Sequence, residues 1–192
     1  ITLPITKHNY IVTRVDQIAE TIREAFYIAR SGRPGPVLID ICKNAQIESC
    51  EFVFPEDVKL PGYQPVLRSP KNLVDQAVEL IERAKKPIIL CGHGVLMSKA
   101  EEELMQFAVK TQTPVASTLL GLGAFPASNE LSLGMMGMHG EVHTNMAIQN
   151  SDLILAFGMR FDDRVTGTLK TYAPRAKKIH IEIDPSEVHK NV

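Results

Sequence analysis

The chain has 192 residues and a formal net charge of −1, with 44% hydrophobic and 22% charged side chains. That is enough apolar material for a sizeable core, and so even a balance of charge gives no electrostatic reason to bind nucleic acid or an anionic membrane. No apolar run approaches the roughly 20 residues a membrane-spanning helix needs, and no signal peptide is visible. Cys42, Cys50 and Cys91 are widely spaced, with no Cys-x-x-Cys, and read as reduced thiols of a cytoplasmic protein.

Between Asp16 and Arg30, Ile18, Ile22, Phe26 and Ala29 recur close to helical spacing, and Gly32 fits just past the end of that helix. Pro36-Val-Leu-Ile-Asp-Ile41 then reads as a short buried strand. One helix and one strand cannot bury both faces of the strand, so residues 1–47 are expected to be the tail of another α/β domain. From Glu48 to about Ser69, Pro55, Pro61, Gly62 and Pro65 break any period, and 48–65 reads as a linker. A regular alternation fills residues 66–192. It runs as a helix near 70–84 (Leu73, Ala77, Leu80, Ile81 and Ala84 on one face), a strand 87–91, a helix 99–111, a strand 114–118, a long loop rich in glycine and methionine, a helix near 141–149, a strand 152–157 and a strand 178–183. Continuously apolar strands separated by helices predict a doubly wound α/β domain, its parallel sheet covered on both faces. The chain opens on Ile1, and Asp184-Pro185-Ser186-Glu187 reads as a helix start that runs out at Val192. A fragment of a longer protein is therefore expected.

Open parallel sheets bind ligands beyond the carboxyl ends of their strands. Those ends carry Gly92-His93-Gly94, Leu119-Leu120-Gly121-Leu122-Gly123, Gly158-Met159-Arg160-Phe161-Asp162-Asp163-Arg164 and Glu182-Ile183-Asp184. Glycines there allow main-chain N–H groups close to phosphate oxygens, and arginines add charge-assisted hydrogen bonds. Any one such loop is equally a tight strand-to-helix turn; several on one edge point to a nucleotide. An NAD-type site is disfavoured, because Met97 stands where G-x-G-x-x-G needs its third glycine and no acidic residue follows Thr118 at the required distance. Glu182 is the candidate for ribose hydroxyls.

His139-Gly-Glu141-Val-His143 has its glutamate misplaced for a zinc-protease motif and reads as a helix entry. Asp162 and Asp163 are adjacent, so in an extended segment they face opposite ways; Arg160, Asp162 and Arg164 would then form a row able to present an arginine to an anion. A purely structural ion-pair cluster is the alternative. Glu101-Glu102-Glu103 suits a helix first turn. Met135, Met136 and Met138, between Gly134 and Gly137, are either core or an adaptable lining for a ring-shaped ligand.

Taken in order, Ile5-Thr-Lys-His-Asn-Tyr10, Ser31-Gly-Arg-Pro-Gly-Pro-Val37, Ser117-Thr-Leu-Leu-Gly-Leu-Gly123, Gly137-Met-His-Gly140 and Phe157-Gly-Met-Arg-Phe-Asp-Asp-Arg-Val-Thr-Gly167 closely resemble the large catalytic subunits of the acetolactate synthase (acetohydroxyacid synthase) family. These are thiamine-diphosphate enzymes of branched-chain amino-acid biosynthesis. The resemblance implies that 1–47 is the end of a pyrimidine-binding domain and 66–192 most of a central FAD-binding domain. The activating glutamate and the Mg²⁺ motif belong to other parts of such a subunit, so no catalytic or metal residue is expected here. It also implies FAD contacts at Arg33, Gly92, Gly94, Thr118, Leu119, Met136, Met138, His139, Gly158, Arg160, Asp162, Glu182 and Ile183. Arg164 would read the carboxylate of the second 2-keto acid, with Met138 and Lys43 lining the approach. His93 interrupts the family's usual glycine triplet, which places the FAD contact at that position in question. A homo-oligomer and a small regulatory subunit are the implied partners, and the chain alone is expected to be inactive. A related FAD-carrying thiamine enzyme of the glyoxylate carboligase or pyruvate oxidase type, or a non-catalytic dinucleotide-binding module, would share the glycine loops.

Overall fold

In a computed structural model, which describes residues 1–66 and 68–192, the amino-terminal part holds two strands rather than one. β1 (His8–Val12) lies parallel to β2 (Val37–Ile41), with His8 opposite Val37 and Val12 opposite Ile41. Helix α1 (Ile18–Arg30) connects them and buries Thr21, Ala25 and Ile28. The expected face was different: Ile22 and Phe26 are exposed. The helix turns the smaller Thr21 and Ala25 inward, which lets its axis come close to the strands. Lys7 closes the end of α1, its ammonium donating to the carbonyls of Ile28 and Ser31 and to the Tyr63 hydroxyl. A cation there meets the carbonyl end of the helix dipole. A short helix α2 (Lys43–Ile47) follows β2.

The proline-rich stretch after α2 has no regular structure, yet it is pinned. Arg23 of α1 donates to the Glu56 carbonyl at 2.5 Å, its guanidinium lies 5.0 Å from the centre of the Phe54 ring, and Tyr63 donates to the Ser31 carbonyl at 3.1 Å. Residues Ile1–Arg68 accordingly form one unit and Ser69–Val192 a second.

The second unit is α/β throughout. Its helices are α3 (Lys71–Arg83), α4 (His93–Ser98), α5 (Glu101–Thr111), α6 (Val142–Asn150) and α7 (Asp163–Thr166). Its strands are β3 (Pro87–Cys91), β4 (Val115–Ser117), β5 (Ser132–Met135), β6 (Leu153–Phe157) and β7 (Lys177–Ile181). They pair in the order β5-β4-β3-β6-β7, all parallel. β5 lies within what reads in sequence as a loop. Gly134 and the register shift between Val115 and Ala116 break the alternation that would reveal it. No helix forms at Asp184. Its carboxylate accepts from the Ser186 N–H at 3.0 Å and its carbonyl from Glu187 at 3.1 Å, closing a turn instead.

Both faces of the sheet are covered. Ile88, Leu90, Ala116, Ile154 and Ala156 point to one side, under Met136, Ile148, Phe161 and Tyr172. Ile89, Cys91, Val115, Leu153 and Leu155 point to the other, under Leu104, Ala108 and the half-buried Leu80 and Ile81. Alternate residues of one strand thus serve two cores, which is why these strands are continuously apolar. Each fully buried leucine or isoleucine contributes about 1.5–3 kcal/mol. Asp152, just ahead of β6, accepts from the backbone N–H of Lys85 at 2.8 Å and of Lys86 at 2.9 Å, tying the start of β6 to the turn that enters β3. Partial burial would raise its pKa, but these two N–H donors outweigh that and hold it below the ordinary carboxylate value.

Candidate functional site

The strand order places the site. β3, β4 and β5 extend to one side, and the chain then returns to add β6 on the opposite flank of β3. Between β3 and β6 the connections diverge, and a parallel sheet offers its ligand crevice at the carboxyl ends of such a pair. The turns there are Gly92-His93-Gly94 and Gly158-Met159-Arg160, and they touch. A Cβ on Gly94 would lie 2.6 Å from the Gly158 Cα, one on Gly92 would lie 2.4 Å from the Gly158 carbonyl oxygen, and Gly158 itself sits at φ +56°.

This contact gives the glycines a packing role. The N–H groups of Gly92, Gly94 and Gly158 donate to Phe157, Gly158 and Ile181 carbonyls at 3.0, 2.9 and 2.9 Å. Those of Gly92 and Gly94 tie the turn after β3 to the end of β6 and the turn that follows it, and that of Gly158 ties the second turn to β7. The glycines are required because no side chain fits between the crossing backbones.

Around this crossing the surface is apolar. The Thr118 hydroxyl accepts from the Gly121 N–H at 3.0 Å and caps a 3-10 turn over Leu119–Gly121. That turn holds Leu119 and Leu120 at 68% and 66% exposure, while the His93 ring lies 3.1 Å from the Leu120 carbonyl. Met138, Ile181 and Ile183 are exposed as well, whereas Met136 is buried in the core. Leu120 and Leu122 were absent from the expected contacts; a run of leucines inside a glycine turn is their sequence signal.

The charged cluster is not the row expected of an extended segment. Asp162 caps α7, its carboxylate accepting from the Arg164 N–H at 3.2 Å, so Asp163 and Arg164 are helical. Arg160 pairs with Asp162 at 3.7 Å and Arg164 with Asp163 at 3.8 Å. Both pairs are long and at least 40% exposed, so each guanidinium is cheaply released to another anion. Glu182 turns one oxygen back to the N–H groups of Ile183 and Asp184, at 2.9 and 3.2 Å.

A tight turn links these parts. Gly137, at φ +96°, packs so closely on α7 that a Cβ would lie 2.7 Å from the Arg164 carbonyl oxygen. The Met138 N–H donates to that same oxygen at 2.8 Å. Asn145 of α6 brackets Gly137, its Oδ1 accepting from the Gly137 N–H and its Nδ2 donating to the Gly137 carbonyl, both at 2.9 Å. His139 is exposed on the turn. Among the described residues no group of three His, Cys, Asp or Glu is placed to hold a metal. Arg33 and Lys43 both belong to the first unit, where they are exposed.

Two open hollows of about 360 and 340 Å³ lie at the opposite pole, lined by residues such as Lys86, Pro114 and Asn150 in one and Asn129 and Leu131 in the other. They sit where strands begin, which is not where a parallel sheet converges its functional groups. The carboxyl-end surface is the better fit to a coenzyme. Exposed leucine and methionine suit a flat ring, and Arg160 suits an anion.

A glycine-crossed switch point with an apolar rim and two releasable arginines marks the carboxyl end of an open, parallel α/β domain. The chain belongs to the thiamine pyrophosphate enzyme family, whose central-domain model matches residues 74–192. It is 52% identical over 190 residues to the acetolactate synthase large subunit of Corynebacterium glutamicum, covering 99% of this chain and 30% of that protein. It is 52% identical over 193 residues to the chloroplastic acetolactate synthase 2 of Nicotiana tabacum, covering 100% and 29%, and 49% identical over 191 residues to the large subunit of Mycobacterium tuberculosis, covering 100% and 31%. The chain thus spans about 30% of the length of these relatives.

Proposed function

We propose that the chain is a segment of an acetolactate synthase large subunit, with 1–47 completing the pyrimidine-binding domain, 48–65 a linker and 66–192 supplying the FAD-binding central domain. What supports this is the roughly 50% identity, over 99–100% of the chain and so across both units, to proteins of that one name. The reaction joins pyruvate, with loss of carbon dioxide, to a second 2-keto acid, either pyruvate or 2-ketobutyrate. Thiamine diphosphate with Mg²⁺, held mainly by other domains, supplies the electron sink; FAD is bound without net redox change.

The residues of this chain bind and orient. Leu119, Met138 and Ile183 offer apolar cover to the flavin ring, Arg160 its charge to the anionic groups, and Glu182 a carboxylate to the ribose. The Thr118 cap fixes where Leu119 stands. Arg164 exchanges its loose contact with Asp163 for the carboxylate of the second keto acid, beside Met138. The working enzyme is a cytoplasmic homo-oligomer with a small regulatory subunit. Among the described residues no helix is long and apolar enough to cross a membrane.

The test is Arg164→Ala in the full-length subunit. Loss of a charge-assisted contact to substrate should cost roughly 10- to 100-fold in kcat/KM for the second keto acid and flatten the preference for 2-ketobutyrate over pyruvate, with FAD retained. Unchanged selectivity would remove Arg164 from this role. Products other than acetolactate from the intact enzyme would transfer the reading to a related FAD-carrying thiamine enzyme.

A further inference from the structure

Asn145 stands outside every assignment made above, and its surroundings are unusually specific. It lies within α6, half-buried, and both ends of its amide are spent on one residue, Gly137. The Gly137 carbonyl also accepts from the Gly140 N–H at 2.9 Å, so its main-chain oxygen has two donors and its nitrogen one acceptor. On its other flank Gly137 presses against the Arg164 carbonyl, and Met138 reaches that oxygen with its N–H. A continuous path therefore runs from α6 through the Asn145 amide to the 137–140 turn, and from there to the backbone of Arg164. The preceding residue, Thr144, anchors the same helix elsewhere: its hydroxyl donates to the Leu133 carbonyl of β5.

We propose that Asn145 is a positioning residue, whose amide sets the Gly137–Met138 turn and thereby fixes Met138 and Arg164 relative to each other at the keto-acid end of the site. This rests on the reading of Arg164 as the carboxylate anchor. Neither aspartate nor alanine makes both bonds: aspartate keeps the acceptor for the Gly137 N–H but opposes its carbonyl with charge, and alanine keeps neither. With the amide gone, Gly137 at φ +96° is held on that flank only by the turn itself, and the Met138–Arg164 link is free to shift. Small displacements of a substrate-orienting group are enough to weaken recognition severalfold or more.

The experiment uses the full-length subunit carrying Asn145→Ala, Asn145→Asp, Thr144→Val or Arg164→Ala. Alanine is the best helix former and the site is half-exposed, so Asn145→Ala keeps α6 intact; Asn145→Asp is the smaller change in shape. Both Asn145 variants should raise KM for the second keto acid on the order of 10-fold, with kcat and bound flavin little changed. Thr144→Val should lower the melting temperature and leave that KM unaltered. An unchanged KM in both Asn145 variants overturns the proposal, as does a loss of kcat, flavin and stability together, which would mark Asn145 as structural. Should Arg164→Ala itself leave KM unchanged, the parent reading fails. A raised KM in Arg164→Ala beside a normal one in the Asn145 variants sinks the positioning role alone.

Discussion

Gly158 shows how much of this site is decided by a single missing Cβ. It combines a left-handed φ of +56° with a neighbouring backbone that a Cβ would meet at 2.6 Å, so alanine is opposed both by conformation and by space. Gly158→Ala should destabilise the second unit by roughly 1–3 kcal/mol, read as a lower denaturant midpoint, and should part the two turns at the switch point. An unchanged midpoint would mean the backbones are not in contact. In sequence the glycine was visible and its position at a strand end was clear. What it does there was not, because a phosphate turn and a backbone crossing use the same residue, and only the partner of each N–H tells them apart. Arg160 and Arg164 were legible as candidates from charge, and so was the pairing of Arg160 with Asp162, but the pairing of Arg164 with Asp163 was not. Asp162 as a cap curls the next residues into α7, and the alternation assumed for an extended chain is lost. Asn145 carried no sequence signal, being one polar residue in a short helix with little amphipathic pattern.

At the scale of elements, Asp152 couples two of them through its carboxylate and the main-chain N–H groups of Lys85 and Lys86. Its folded pKa is lowered, so its contribution to stability is complete above the ordinary carboxylate value of 3.8 and is lost as pH falls through the lower folded value. Asp152→Ala leaves the Lys85 and Lys86 N–H groups without this partner and should cost about 1–2 kcal/mol at pH 7. The gap between variant and parent should narrow in urea titrations below pH 3.8; a constant gap across pH would show that the carboxylate charge is immaterial. The central elements β3 and β6 were legible because two buried faces demand an unbroken apolar run. β1 was not: His8, Asn9 and Tyr10 make it polar, and its pairing partner lies beyond a whole helix. The Tyr10 hydroxyl, donating to Glu24 at 3.0 Å, is a clue that appears only in three dimensions. Burial and that carboxylate together lift its pKa to about 12. α4 escaped notice because it begins inside the glycine turn that follows β3.

For the whole molecule, the apolar surface at the carboxyl end of the second unit's sheet, proposed above for the flavin, is exposed. Leu119 and Leu120 stand more than half exposed, and so does Met138 at 57%. A ring bound there would be covered on one side only, and about 25 cal/mol per Å² of apolar burial is forgone wherever cover is missing. The purified 192-residue chain should therefore form no acetolactate and leave gel filtration without flavin absorbance, whereas the full-length subunit should emerge yellow. A yellow chain would show that these 192 residues grip the coenzyme unaided.

The five-stranded order has one more result, for solubility. Its two outer strands, β5 and β7, each have a strand neighbour on one flank only, the kind of margin that invites stacking with a neighbouring molecule. β5 is four residues long, with Gly134 at φ +79° twisting its line, and β7 opens on Lys177 and Lys178. A short bent margin on one flank and repelling ammonium groups on the other make the sheet a poor template for growth into fibrils.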